Sequence, residues 1–390
     1  MAIRILVDGY HYQTCGRLCK PMNSLASDIA REIQQDGPMT CARFMELALY
    51  APSRGYYERQ REIGQRGDFF TSVSVGSVFG ELLAFQFAAW LKDVPHPIIV
   101  EAGAHQGRLA ADILAWMQEF QPALFERLQY CLVERSETHR AWQRETLQPW
   151  ERRIRWFTDI EEAEITGVIF ANEFFDAMPV HRLNWDAAER IWREWRVAQE
   201  GGRFVWRRGS VAPDAAAHLP VVPEALAAVL PDGYTMDVSP AAERWWASAS
   251  QALREGKIIT IDYGLAEQER WRPERAAGTL RAYRGHRLEA DALAEPGEQD
   301  LTAHVDFAAL QRAGEAAGLR TDGLWEQSAF LTRILAQTQA RPGGFAPWTP
   351  ARVRQFQTLT HPDHLGRAFR VLAQGRGALL DVRIDHGTAA

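Results

Sequence analysis

Residues 98–114 read IIVEAGAHQGRLAADIL and decide the fold of this chain. A short apolar run rich in β-branched residues, 98–101, is broken by Gly103 and Gly107, and apolar residues then recur at helical spacing over 109–120. This order predicts a strand, a glycine loop and a helix. Such a loop lets the backbone approach a ligand closely, and the start of the helix behind it offers unpaired N–H groups.

Two further predicted strands end in polar residues. Residues 130–133 form the first of them and lead to Glu134, whose carboxylate can accept hydrogen bonds from both hydroxyls of a ribose. Residues 168–171 form the second of these two strands, and three polar side chains follow it: Asn172, Glu173 and Asp176. These strand ends come in the order that a nucleoside-binding sheet requires. They predict S-adenosylmethionine as the cofactor.

A dinucleotide site also uses glycines and an acidic residue, so the two spacings have to be compared. The nicotinamide fingerprint GxGxxG would require glycine at 103, 105 and 108, where the chain has Gly103, His105 and Arg108. An acidic residue followed by GxGxG requires Glu101, Gly103 and Gly107, which are present, and a glycine at 105. His105 is therefore expected to adopt a backbone angle that glycine adopts more cheaply. An ordinary strand-to-helix turn remains an alternative from this loop alone.

The wider pattern predicts an α/β fold with a doubly wound, mostly parallel, Rossmann-like sheet. Its strands are predicted at 98–101, 130–133, 154–157, 168–171 and 257–261. Amphipathic helices are predicted before the sheet, at 44–49 and 78–91. Alternating patterns at 191–197 and 204–206, on either side of Gly201-Gly202, predict hairpin strands within a β-rich insertion.

These patterns divide the chain into four parts. They are an N-terminal extension with the first helix (1–38), a helical preface with a cofactor-covering loop (39–96), a core (97–182 and 236–390) and the β-rich insertion (183–235). The insertion contains four tryptophans, for which packing on the core is favoured over a platform for an aromatic substrate.

Several separated strings resemble the MidA-like methyltransferase family. They are RGDFFTSVSVGSVFGELLA (66–84), VEAGAHQGRLAADIL (100–114), LVERS (132–136), FANEFFDAMPVHR (170–182), IDYG (261–264), GTLRAYRGHR (278–287) and DLTAHVDF (300–307). The resemblance spans residues 39–335 and implies a class I methyltransferase fold that binds S-adenosylmethionine. The mitochondrial members look like arginine methyltransferases that assist assembly of respiratory complex I, which implies a protein arginine as the acceptor. The chain departs from the family at His105 and at TSVSVG (71–76).

The predicted cofactor-binding residues each have an ordinary structural alternative. They are Glu101, Gly103, Gly107, Arg108, Glu134, Asp159, Gly67, Asp68, Thr71 and Ser72. In the methyltransferase interpretation Glu101 anchors the loop and the cofactor's amino group, and the string containing 67–72 closes over the cofactor. Asp159 is placed to hold the adenine amino group and equally to cap a helix beginning at Glu161. Arg108 either meets the cofactor carboxylate or covers the helix surface.

The predicted catalytic residues are Asn172, Glu173 and Asp176, because open α/β sheets present groups to a ligand at the carboxyl ends of their strands. A guanidinium stays protonated and is a poor nucleophile, and two carboxylates could hold it by paired hydrogen bonds while polarising one nitrogen. The alternative is that Asp176 caps the turn and Glu173 pairs with Arg182.

Three histidines are possible bases: His181, His286 and His304. No trio among them has the spacing of metal ligands, so no metal is expected. Asp306 is expected to cap a helix.

The composition limits the kinds of partner and the cellular location that are expected. The formal charge of −6 and the absence of a basic block argue against nucleic acid as a substrate. Four cysteines without a paired CxxC arrangement suit a reducing cytoplasm. No uninterrupted apolar run approaches 18 residues, so neither a membrane anchor nor a secretory signal is expected. The sequence leaves the oligomeric state open.

Three classes of function remain. They are a methyltransferase acting on a protein side chain, a catalytically silent assembly factor that keeps the cofactor fold, and a nucleotide-dependent oxidoreductase. The intact polar residues after the strands favour the first, and His105 leaves the second open. The missing glycines at 105 and 108 weigh against the third.

Overall fold

A computed structural model describes residues 23–59, 71–285, 287–341 and 343–377. The candidate residues Gly67, Asp68 and His286 lie outside the described residues, as does most of the predicted N-terminal extension. No helix among the described residues is both long enough and apolar enough to cross a membrane.

The described elements alternate between helices and strands. The helices are α1 (Ser24–Asp36), α2 (Cys41–Tyr50), α3 (Tyr56–Arg59), α4 (Val78–Leu91), α5 (Arg108–Phe120), α6 (Pro122–Phe125), α7 (Glu137–Thr146), α8 (Pro213–Ala216), α9 (Glu224–Ala227), α10 (Pro240–Ala252), α11 (Phe307–Ala316), α12 (Gln327–Gln339) and α13 (Pro350–Thr360). The strands are β1 (Met39–Thr40), β2 (Ile98–Ala102), β3 (Gln129–Val133), β4 (Ile154–Phe157), β5 (Ile165–Asn172), β6 (His181–Asp186), β7 (Ile191–Glu200), β8 (Arg203–Gly209), β9 (Thr235–Val238), β10 (Leu253–Leu265), β11 (Arg281–Arg284), β12 (Arg287–Glu289), β13 (Asp300–Thr302), β14 (Val305–Asp306), β15 (Arg320–Glu326) and β16 (Phe369–Arg376).

The central sheet confirms the predicted doubly wound architecture. Its order is β15-β16-β10-β5-β2-β3-β4, with β4, β3, β2, β5 and β10 parallel and the pair β16 and β15 antiparallel. Successive side chains of a strand point to opposite faces. Ile99 and Ile259 therefore pack with α4, α5 and α12, whereas Val100 and Ile258 pack with α10 and α11.

Helix α4 has the predicted bounds but not the predicted amphipathic character. Almost its whole surface is buried, because it lies between β5, α5, α12 and α13. Phe87 contacts Phe170 of the sheet with ring centroids 5.1 Å apart, while Phe85 contacts Trp116 on α5. A helix enclosed on several sides needs apolar residues all round rather than on one face.

The insertion is rich in β structure, as predicted. Strands β7 and β8 form a hairpin across Gly201-Gly202, whose φ angles of 55° and 77° are in the left-handed region. The full sheet has the order β1-β7-β6-β9, so β1 of the preface pairs with the insertion. Trp185 and Trp192 are buried against each other with ring centroids 5.3 Å apart. These two tryptophans serve packing, the favoured alternative.

The strand order reverses between β2 and β5. From β2 the chain moves outward through β3 and β4, and it then returns to the other side of β2 to form β5 and β10. Ligands of open α/β sheets bind in the crevice that such a reversal leaves beyond the carboxyl ends of the strands. The residues after β2 and β5 therefore flank the expected site.

A close approach of strands near the start of β5 leads to the first prediction. Gly167 has φ 153°, and a Cβ atom there would lie 2.0 Å from the carbonyl oxygen of Ile98 on β2. We expect Gly167→Ala to lower the free energy of unfolding by about 3 kcal/mol or more, because the backbone of β2 or β5 must move to make room for the added Cβ atom. Denaturant titration measures this.

Gly202→Ala is the matched control, since Gly202 has φ 77° but no atom within 4 Å of the added Cβ. Its cost should be that of the backbone angle alone, about 1 kcal/mol. Equal losses in the two variants would contradict the steric argument.

Candidate active site

A cleft of about 1800 Å³ opens at the carboxyl ends of the central strands. Six of the predicted site residues line it: Thr71, Gly103, Glu134, Asp159, Glu173 and Asp176. Five others are placed nearby but are not part of its lining: Ser72, Glu101, Gly107, Arg108 and Asn172. The structure thus brings together the residues after β2, β3, β4 and β5, with residues of α2 and α3 closing another side.

The loop between β2 and α5 has the backbone that the glycine spacing predicts. Gly103, His105 and Gly107 have φ angles of 72°, 46° and 77°, all left-handed. His105 therefore occupies the expected glycine-like angle. A Cβ atom on residue 103 would lie 2.6 Å from Cδ2 of Phe174, so only glycine fits where this loop meets the turn after β5.

Glu101 and Arg108 are not part of the cleft lining. The Glu101 carboxylate is buried and accepts a hydrogen bond of 2.6 Å from the Tyr130 hydroxyl on the neighbouring strand. Burial raises the pKa of Glu101 to about 7. Its side chain therefore supports the sheet beneath the loop instead of facing the cleft. Arg108 is exposed at the start of α5, as in the surface alternative.

Glu134 lies in the cleft and belongs to a hydrogen-bonded network. Its carboxylate accepts from the Ser136 N–H at 2.9 Å, from His139 Nδ1 at 3.2 Å and from Gln143 Nε2 at 3.1 Å. Nε2 of His139 lies 2.9 Å from the carbonyl oxygen of Tyr57, so both ring nitrogens face acceptors. Burial opposes protonation of His139, but the Glu134 carboxylate outweighs it and the pKa is raised. A carboxylate has about four acceptor positions, so Glu134 can still accept from a ligand hydroxyl.

Asp159 occupies the predicted capping position and also lines the cleft. It is the N-cap residue of a 3₁₀ turn, Ile160–Glu162, which replaces the predicted helix from Glu161. Its carboxylate pairs with Arg135 and is partly exposed in the cleft. This position leaves side-chain oxygen atoms of Asp159 available to a ligand beyond the end of β4.

Glu173 directly follows β5 in a left-handed backbone conformation, with φ 49°. Its Oε1 accepts from the Ser72 N–H at 3.0 Å and from Asn172 Nδ2 at 3.2 Å. Thr71 caps the 3₁₀ turn Ser72–Val75 and thereby fixes that N–H. Burial raises the pKa of Glu173 to about 8, and the charge of Asp176 adds to the effect. The polar end of the predicted cofactor-covering string is therefore tied to a predicted catalytic carboxylate.

Asp262, which was not among the predicted site residues, caps the turn after β5. Its Oδ2 accepts from the N–H groups of Phe174, Phe175 and Asp176 at 3.1, 2.9 and 3.3 Å. Burial raises its pKa, and the neighbouring Asp176 and Glu173 carboxylates raise it further. An aspartate at the carboxyl end of the predicted strand 257–261 was the signal for this role.

The Asp176 carboxylate accepts from backbone N–H groups of Ala177 and of Asp176 itself, so the structure is compatible with the alternative in which Asp176 caps the turn. The alternative ion pair of Glu173 with Arg182 is not formed. Arg182 does not reach Glu173, because its Nε lies 3.7 Å from Asp237 Oδ1 and its Nη2 donates to the carbonyl oxygen of Ala277 at 2.7 Å.

Asp176 completes a group of three carboxylates with Glu173 and Asp262, of which Asp176 and Asp262 are buried and Glu173 is half-buried. Burial raises the pKa of Asp176 to about 6, although the Tyr263 hydroxyl donates a hydrogen bond to it. Within the part of the chain that the structure describes, no arginine or lysine forms an ion pair with any of the three. These carboxylates therefore favour a cationic ligand.

Two tyrosines of the preface form a wall beside this group. The Tyr50 hydroxyl donates to the carbonyl oxygen of Ala177 at 2.9 Å, and the Tyr57 hydroxyl donates to Asp300 Oδ1 at 2.8 Å. Their rings stack with centroids 5.6 Å apart. No local pattern marked these residues, because long-range packing brings them to the cleft.

The candidate histidine bases separate in the structure. His181 is buried at the start of β6, with Nδ1 2.7 Å from Glu194 and Nε2 3.0 Å from Asp214 of the insertion, and is not part of the cleft lining. His304 does line the cleft, and burial lowers its pKa to about 4. Asp306 caps α11 as predicted, accepting from the Ala309 N–H at 3.1 Å.

Comparison with known proteins identifies the family. The family described as "Putative S-adenosyl-L-methionine-dependent methyltransferase" matches residues 82–325. The mouse mitochondrial protein arginine methyltransferase NDUFAF7 is 30% identical over 88% of this chain and 82% of its own. The Drosophila melanogaster homolog is 29% identical, over 91% and 86% of the two chains.

Solved structures agree. A Burkholderia thailandensis protein bound to S-adenosyl-homocysteine superposes with a TM-score of 0.78 at 32% identity, over 90% of this chain and 92% of that chain. Together with the family match over more than half of the sequence, this likeness establishes that the chain belongs to the S-adenosylmethionine-dependent methyltransferase family.

Proposed function

We propose that this methyltransferase transfers the methyl group to an arginine side chain of a protein. The observation that carries the proposal is a pair of carboxylates, the half-buried Glu173 and the buried Asp176, which have no cationic partner among the described residues and lie where β5 opens into the cleft. The names of the mouse and Drosophila melanogaster relatives, both called protein arginine methyltransferases, support the same acceptor.

The residues at the other end of the cleft fit S-adenosylmethionine. The left-handed loop at Gly103 brings backbone to the cleft, and Glu134 at the end of β3 can accept from ribose hydroxyls. Asp159 lines the cleft at the next strand end, and its carboxylate could accept from an adenine amino group. The amide oxygen of Asn172 is buried without a hydrogen-bond partner among the described residues, which leaves one acceptor for a ligand amine.

The chain's own residues supply alignment and proton acceptance. The bound cofactor supplies a methyl group on a positively charged sulfur. Glu173 and Asp176 would hold the acceptor guanidinium by paired hydrogen bonds and orient one nitrogen toward that methyl carbon. As the new C–N bond forms and the S–C bond breaks, the nitrogen loses a proton, and a carboxylate with a raised pKa is suited to accept it.

We further propose that the protein works in a reducing compartment such as the cytoplasm, on a protein partner and without nucleic acid or a membrane. Cys41 and Cys131 support this location as buried free thiols. The mouse relative is named mitochondrial, so subcellular fractionation is the direct measurement.

The cofactor assignment predicts a binding defect at Glu134. We expect Glu134→Ala to weaken binding of S-adenosyl-homocysteine by about 1–3 kcal/mol, the scale of hydrogen bonds to a charged group. Calorimetry measures the affinity, and the melting temperature reports the fold. Glu151→Ala, at an exposed residue outside the cleft, should bind like the wild type. Unchanged affinity in a folded Glu134→Ala protein would remove Glu134 from the site.

The acceptor assignment predicts a catalytic defect at Glu173. We expect Glu173→Gln to keep cofactor affinity but to slow single-turnover methyl transfer roughly a hundredfold, about 3 kcal/mol in the transition state. Asp176→Asn should do the same, and the double variant should be less than additive if the two act as one clamp. A folded Glu173→Gln protein with near wild-type transfer would contradict the assignment.

The raised pKa of Glu173 also predicts that replacing this residue by glutamine raises the stability by an amount that depends on pH. A carboxyl group whose pKa is raised on folding, here to about 8, stabilises the fold below its unfolded pKa and loses that contribution as pH rises through 8. Glutamine does not ionise, so Glu173→Gln should raise the melting temperature more at pH 9 than at pH 5. Equal shifts in melting temperature at the two pH values would contradict a raised pKa for Glu173.

A further inference from the structure

Four arginines line one edge of the cleft. They form what we call the basic rim: Arg272, Arg275, Arg367 and Arg370. Arg272 and Arg275 belong to the loop after β10, whereas Arg367 and Arg370 lie at the start of β16. Two separate parts of the chain therefore bring positive charge to the same edge, although the whole chain has a net charge of −6.

One carboxylate, Glu269, faces this group. Its Oε2 accepts from Arg370 Nη2 at 2.8 Å, and its Oε1 lies 3.6 Å from Arg272 Nη2. Burial would raise the pKa of Glu269, but the N–H of Ala266 and the surrounding arginines outweigh it and lower the pKa. Among the described residues, Glu269 is the carboxylate that forms ion pairs with the rim arginines, and one carboxylate cannot neutralise four guanidinium groups. The rim therefore keeps an excess of positive charge.

Arg275 shows the excess most clearly. Its Nη1 donates to Nδ1 of His304 at 2.9 Å, an uncharged partner, since burial and the nearby arginines keep the pKa of His304 at about 4. Burial lowers the pKa of Arg275, and repulsion from Arg272 and Arg281 lowers it further, against the attraction of Glu269.

Consecutive contacts connect the rim to the proposed acceptor site. The Tyr263 hydroxyl donates to Asp176, and the Tyr263 ring meets the His304 ring edge to face with centroids 5.8 Å apart. His304 in turn contacts Arg275. Since an extended peptide advances about 3.3 Å per residue, a few residues on one side of a bound arginine would reach the rim.

We propose that the basic rim binds acidic side chains close to the methylated arginine, so that the substrate is an arginine within an acidic segment of a protein. The assignment rests on the proposed function for the acceptor itself. The two charged regions have complementary roles. The carboxylates of Glu173 and Asp176 attract the guanidinium and repel acidic residues, whereas the rim attracts acidic residues and repels further basic ones.

Binding of fluorescent peptides tests the rim without any methyl transfer. The probes are two synthetic peptides with one central arginine, one with glutamates within about four residues on either side and one with glutamines in their place. With the full chain saturated by S-adenosyl-homocysteine, we expect the glutamate peptide to bind at least about fivefold more tightly at low salt, and the preference to shrink as salt rises.

The double variant Arg272→Gln/Arg367→Gln should lose that preference, because both exposed side chains belong to the rim. Arg152→Gln/Arg354→Gln, at exposed arginines outside the cleft, is the matched control and should keep it. Equal binding of the two peptides by the wild type, or an unchanged preference in the rim variant, would overturn the proposal.

Methyl transfer to the same peptides separates the two proposals. Charge-selective binding with no transfer to either arginine would refute the arginine acceptor while supporting the rim. Equal binding and equal transfer for both peptides would support the arginine acceptor and refute the rim. Faster transfer to the glutamate peptide, lost in the rim variant, is the result expected if both hold.

Discussion

The site depends on a single aspartate that holds a turn. Asp262, at the end of β10, accepts three consecutive N–H groups from residues 174–176, and the parallel register of β10 with β5 brings it directly beside them. This contact fixes the left-handed angle of Glu173 and the direction of Asp176. Other segments then join the same turn: Ser72 of the preface donates to Glu173, and the N–H of Ala303 donates to the carbonyl oxygen of Asp176 at 2.8 Å.

Bringing three acids together is unfavourable for folding, and the structure offsets part of this cost with donors that carry no charge. Backbone N–H groups, the Asn172 amide and the Tyr263 hydroxyl lower the pKa values of the carboxyl groups without removing the excess of negative charge. A neutralising arginine would remove part of the repulsion between these carboxylates. It would also occupy the place in which a substrate guanidinium is proposed to bind, so stability and activity make opposite demands here.

The parts of the fold governed by local pattern could be predicted from the sequence. The strand at 154–157, helix α4 and the left-handed His105 all follow from nearest-neighbour spacing. Side-chain direction could not be predicted as well: Glu101 points into the sheet, although its position in the motif predicted a ligand contact. Partners distant in sequence, such as Tyr57 beside Asp300, were missed because only tertiary packing brings them together. The residues of the candidate site that follow the strands were thus predicted from the sequence. The residues that form its walls were predicted only in part.

The pairing of β1 with β7 has a consequence for the order in which the chain can fold during synthesis. Met39 and Thr40 take Val197 and Arg196 as their partners, so the preface leaves the ribosome long before the strand that completes its sheet. Helices α2 and α3, which carry the tyrosine wall, must wait in a partly assembled state while the first parallel strands form. The time needed to translate the insertion therefore sets how long the apolar faces of α2 and α3 remain accessible to chaperones or to a second nascent chain.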